Sequence, residues 1–101
     1  MIAQTPEPPY YAVIFTSLRT LDTEGYTEMA ELMVELASQQ TGFLGFESAR
    51  DHVGITVSYW SDLASIQAWK THAKHQIAQK LGQEKWYSDY KVRIARVEKS
   101  Y

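Results

Sequence analysis

The chain has 101 residues, 45% of them apolar, 22% charged and 13% aromatic, with a formal net charge of −2; this suffices for one compact domain and is too short for two ordinary ones. Cysteine is absent, which excludes a disulfide framework, thiol catalysis and any cysteine-ligated zinc or iron–sulfur site. The opening MIAQTPEPPYYAV lacks a basic segment followed by an apolar run, and no apolar stretch nears the roughly 20 residues that cross a bilayer, so a cytoplasmic protein without a membrane segment is expected.

Residues 1–9 carry all three prolines and no periodic pattern, and read as a flexible arm ahead of a single domain over residues 10–101. Tyr10 to Leu18 (YYAVIFTSL) is rich in aromatic and β-branched residues and reads as a first strand. Tyr11, Val13 and Phe15 point one way and Tyr10, Ala12 and Ile14 the other, so both faces are apolar and both call for cover.

From Thr23 to Gln40 the apolar positions Tyr26, Met29, Ala30, Met33, Leu36 and Ala37 follow the spacing of an amphipathic helix, with Glu24, Glu28, Glu31 and Glu35 on the wet side. Gly42 suits the left-handed position that ends it. Phe43–Arg50 and Ile55–Trp60 then read as two strands joined by a short turn. Ser61 and Asp62 supply an N-cap and a first-turn carboxylate for a second helix running to Leu81, stopped by Gly82. Gln83–Ser88 is expected to add a short helical turn before a last strand, Tyr90–Lys99, in which the apolar phase shifts between Ile94 and Ala95 as at a bulge.

The order β-α-β-β-α-β is that of an α+β, ferredoxin-like domain: a four-stranded antiparallel sheet with two helices on one face. The other face has no helix of its own. Its apolar first strand predicts a partner, most simply a second copy packed sheet against sheet as a homodimer.

Charge is uneven along the chain: nine acidic against two basic residues precede Lys70, and eight basic against three acidic follow from it onward. The basic residues alternate with apolar ones and form no cluster, so no nucleic-acid partner is expected. His72 and His75 lie within roughly 60° of each other around the helix, but two imidazoles fall short of the three or four ligands a zinc site needs. No metal site is expected there, and a solvated pair at the helix edge is the plainer reading. Nor does a nucleophile–base pair or a phosphate-cradling glycine loop appear.

The aromatic surplus remains. Ile66, Trp69, Ala73, Ile77 and Leu81 form the stripe of the second helix that faces the sheet, with Trp60 nine residues before Trp69, and Trp86, Tyr87 and Tyr90 ahead of the last strand. These residues meet either as a closed core or as the wall of an apolar cavity between helices and sheet, with Thr16, Tyr59, His75 and Gln79 as its polar groups.

With this element order, the stretch TGFLGFES, the strand end TVSYW and the helix AWKTHAKH, the chain resembles the antibiotic biosynthesis monooxygenase (ABM) family, and more narrowly a small bacterial branch of it, from about Tyr10 to Glu98. The resemblance implies a homodimer forming a dimeric α+β barrel, with a pocket in each subunit between sheet and helices. It implies oxidation of a small aromatic or quinol-type molecule without metal or flavin, the pocket stabilising a substrate anion that itself reacts with oxygen. On this reading Trp69 and Trp60 form the apolar wall, His75 is a general base or anion-stabilising donor, and Thr16, Tyr59, Gln79 and Trp86 bind substrate. A non-catalytic dimeric ligand-binding module is one alternative, and a haem-binding or haem-degrading monooxygenase is a second. Haem-degrading relatives carry a strand-one asparagine, a helix-two tryptophan and an iron-ligating histidine ten residues later; here these positions hold Thr16, Trp69 and Gln79, so two of the three are missing.

Overall fold

The structure, a computed structural model, describes residues 2–20, 25–80 and 87–101, and within these all side chains except those of residues 26, 74–80, 87 and 88. The elements run β1 (Tyr10–Arg19), α1 (Tyr26–Ser38), β2 (Phe43–Arg50), β3 (Gly54–Trp60), α2 (Leu63–Lys80) and β4 (Tyr87–Val97). The strands form one antiparallel sheet in the order β2-β3-β1-β4. This is the α+β, ferredoxin-like arrangement expected from the sequence.

The periodicity of α1 explains its docking. Met29 and Ala37 are buried, Met33 and Leu36 half-buried, and Glu28, Glu31 and Glu35 exposed. The helix ends at Gln39, whose N–H donates to the Leu36 carbonyl, and the Gln40 N–H donates to that of Ala37. Gly42 then turns the chain at φ +87°. A side chain there would meet the hydroxyls of Ser65 and Ser61, and the Gly42 carbonyl accepts the Ser61 N–H at 2.8 Å. Glycine is thus required both by backbone conformation and by the close approach of the α2 start. That helix is capped by Asp62, whose Oδ1 accepts the Ser65 N–H at 2.7 Å.

Strand pairing sets which residues share a face. Tyr11, Val13, Phe15 and Ser17 of β1 lie beside Trp60, Ser58, Thr56 and Gly54 of β3 and beside Arg96, Ile94, Val92 and Tyr90 of β4. Both helices pack on this face: Trp60, fully buried, forms the core with Ile66 of α2 and Ala37 of α1, and Tyr11, Val13, Phe43 and Trp69 pack around them. Removing this much indole and aliphatic surface from water is the main force holding the helices to the sheet.

The opposite face carries Tyr10, Ala12, Ile14, Thr16 and Leu18 of β1, with Tyr59 and Ile55 on β3. Tyr10 and Ala12 are nonetheless 5% exposed, although no helix covers them. The N-terminal arm does: the Ala3 N–H donates to Glu47 Oε2 at 3.0 Å, and the Thr5 hydroxyl donates to the Tyr10 hydroxyl at 2.9 Å.

The register corrects one detail of the last strand. Val13↔Ile94 and Ala12↔Ala95 pair without interruption, so no bulge separates Ile94 from Ala95; the irregularity lies at Ser88, where Leu18 pairs with Asp89 and Arg19 with Tyr87. The strand also begins at Tyr87 rather than Tyr90. The apolar phase shift near Ile94 instead reflects a strand whose helix-side and helix-free faces both carry apolar residues. The expected start of α1 at Thr23, the stop at Gly82 and residues 83–86 of the helical turn expected over Gln83–Ser88 lie outside the described residues, whereas Tyr87 and Ser88 belong to β4.

Candidate functional site

A row of aromatic rings crosses from β2 to α2 on the helix side of the sheet. Phe43 meets Trp60 edge-on at 5.4 Å between centroids, Trp60 stacks on Trp69 at 6.1 Å with planes 24° apart, and Trp69 meets the His72 imidazole at 5.8 Å. Such separations give favourable ring contacts. The Trp60 indole N–H donates to the Ser58 hydroxyl at 2.9 Å, so its one donor is satisfied inside the core.

Beyond this row the sheet floor opens. Tyr90, Val92 and Ile94 of β4 share the helix side with Phe15 and Val13, yet remain 48%, 52% and 51% exposed. Phe15 packs against Tyr90 at 5.7 Å, and the Arg50 guanidinium donates to the buried hydroxyl of Ser17. The stacked aromatic row and a half-exposed apolar floor thus share the helix side of the sheet, and such a floor suits the face of a planar ring.

Trp60 and Trp69 are brought together as the sequence suggests, Trp60 as core and Trp69 as the half-buried ring above it. Thr16 and Tyr59 are not. Side chains alternate along a strand, so Tyr59, next to Trp60, and Thr16, next to Phe15, face the helix-free side. The structure therefore does not bring Thr16 and Tyr59 together with Trp60 and Trp69 on one face. Thr16 lines an open groove of about 450 Å³ along β1 and β4 with Ser17, Leu18, Asp89, Tyr90, Lys91 and Arg93. The Tyr59 hydroxyl donates to Glu47 Oε1 at 2.6 Å, and its ring receives Tyr10 edge-on at 5.8 Å. His75 and Gln79 lie on α2 with side chains outside the described residues, and Trp86 lies wholly outside them.

Electrostatics follow from these contacts. The Tyr59 hydroxyl and then the Ala3 N–H, both bonded to Glu47, hold its carboxyl below the usual range, while the Glu47 carboxylate pushes the Tyr59 phenol up to about 12. The Ser65 N–H at Asp62 likewise holds that carboxyl low.

The sequence did not single out His72 for the site, nor the floor of Phe15, Val92 and Ile94. The alternation in KVRIARV carried the signal for the floor. The haem-ligating set of degrading enzymes does not assemble here: Thr16 faces away from Trp69, and Gln79 offers an amide where an imidazole is required. Among the described residues no three His, Asp or Glu side chains group as a metal site, and no helix is long and apolar enough to cross a membrane.

A four-stranded antiparallel sheet with two helices on one face defines an α+β class of small domains. Within that class, the antibiotic biosynthesis monooxygenase family model matches residues 9–81, and the chain belongs to this family. It is 51% identical over 100 residues to YqjZ of Bacillus subtilis (strain 168), covering 97% of this chain and 88% of YqjZ. The fold is similar to that of PA3566 from Pseudomonas aeruginosa, with TM-score 0.70 and 16% identity over 95% of this chain and 99% of that one. It is also similar to SnoaB, a cofactor-independent oxygenase from Streptomyces nogalater, with TM-score 0.71 and 9% identity over 92% of this chain and 97% of that one.

Proposed function

We propose that the chain is a cofactor-independent monooxygenase that oxidises a small aromatic or quinol-type molecule in the cleft between sheet and helices. The observation that carries this reading is the stack of Trp60 on Trp69 beside the half-exposed floor of Phe15, Val92 and Ile94. A planar substrate lies on that floor with Trp69 as its wall, and the rings exclude water from the reacting carbon. His75, three residues on from His72 on α2, takes a proton from the substrate; Gln79 and Trp86 complete the substrate contacts. The resulting anion supplies electrons to oxygen. One oxygen atom becomes the new carbonyl, and the other leaves as water with the two hydrogens removed from the substrate.

The chain acts as a homodimer. Leu18 and Ile55 on the helix-free face are 40% and 44% exposed beyond the reach of the arm, which favours sheet-to-sheet packing of a second copy. Oxygen uptake with anthrone and a panel of quinols tests the activity. The reading expects enzyme-dependent uptake that falls by about 10²-fold or more in His75→Ala and falls also in Trp69→Ala. Uptake no faster than the spontaneous reaction would leave a ligand-binding module.

A further inference from the structure

His72 is half-buried on the helix side of the sheet, its ring against Trp69, and its Nε2 has no exposed surface and, among the described residues, no hydrogen-bond partner. A buried nitrogen left so costs free energy in the folded protein, and that cost is recovered when a polar group is brought to it. What can be brought there is defined by the surroundings: a flat apolar body that fits beside the indole, with a hydroxyl on its rim.

We propose that His72 Nε2 accepts a hydrogen bond from the phenolic or enolic hydroxyl of the bound aromatic molecule, and so selects hydroxylated rings and fixes their orientation against Trp69. The inference rests on the reading of the cleft as an aromatic-binding site. It gives the two α2 histidines separate tasks: His72 holds the ring oxygen, and His75 works at the carbon. When this hydroxyl ionises, its proton passes to His72 Nε2, and the imidazolium N–H then donates to the ring oxygen and stabilises the anion.

Equilibrium dialysis of the intact protein at neutral pH against 2-naphthol and 2-methoxynaphthalene tests this, since methylation removes the donor and leaves the ring. The wild type is expected to prefer 2-naphthol by about tenfold, the scale of one hydrogen bond. The preference disappears in His72→Phe with ring binding retained, and returns in His72→Gln, whose amide oxygen reaches the same place. In the wild type the Nε2 nitrogen resonance of His72 shifts on adding 2-naphthol and stays put with the ether, a readout that stands even if His72→Phe fails to fold. A preference that survives in His72→Phe, or a resonance indifferent to 2-naphthol, overturns the role of His72 and leaves the aromatic cleft standing. Failure of both rings to bind the wild type overturns both.

Discussion

Trp60 and Trp69 lie stacked with ring centroids 6.1 Å apart and planes 24° apart, one ending β3 and the other one turn beyond Ile66 in α2. The first ring is sealed in the core and the second is half-buried above it. The buried indole thereby serves the core, and the half-buried one is the ring left for the proposed substrate contact.

Trp60→Ala removes the largest fully buried side chain from contact with Ile66, Ala37 and Phe43. Chemical denaturation is expected to show a loss of about 3–5 kcal/mol, enough to unfold much of a small domain.

Gly42→Ala places a Cβ at φ +87° and against Ser65. Strain of this kind costs about 1–3 kcal/mol, read as a lower denaturation midpoint with unchanged slope. Gly42→Ala combined with Ser65→Gly is expected to recover part of the loss, because the clash goes and the strained φ stays.

The Asp62 cap predicts an acid-side dependence. Its carboxyl pKa is lowered in the folded chain, so its contribution to stability is complete above the unfolded value near 4 and is lost as pH falls through the lower folded value. Asp62→Asn keeps the cap without the titration. Melting temperatures of wild type and variant followed below pH 5 are expected to converge as the pH falls.

On the helix-free face, Tyr59 titrates near 12 because its hydroxyl donates to Glu47. A folded value above the usual 10 contributes stability that is intact below pH 10 and lost as pH rises through about 12. Ultraviolet titration is expected to show one tyrosine ionising late, absent in Tyr59→Phe and shifted toward the usual value in Glu47→Gln.

The contrast between Tyr59 and Trp60 also shows what the sequence could reveal. Element order, the amphipathic face of α1, the left-handed Gly42 and the start of α2 at Ser61 and Asp62 were legible from local periodicity and turn chemistry, although the cap falls on Asp62 rather than Ser61 and α1 ends at Gln39, ahead of Gly42. The site was half legible. Proximity in sequence suggested that Thr16 and Tyr59 join the indoles, whereas the two-residue strand period sends them to the other face. His72 was hidden for another reason: nothing in AWKTHAKH tells a solvated imidazole from one whose Nε2 is shut away from water beside Trp69. The cover given by the arm was equally unreadable, because the bonds of Ala3 to Glu47 and Thr5 to Tyr10 depend on tertiary placement alone.

The central claim is that the chain inserts one atom of molecular oxygen into an aromatic substrate held beside Trp69. Incubating the protein with anthrone under ¹⁸O₂ and weighing the product by mass spectrometry tests it most directly. The account predicts enzyme-dependent conversion to the quinone with one labelled oxygen in the product and the other in water, strongly reduced in Trp69→Ala. Conversion at the spontaneous rate, or an unlabelled product carrying oxygen from water, would contradict it.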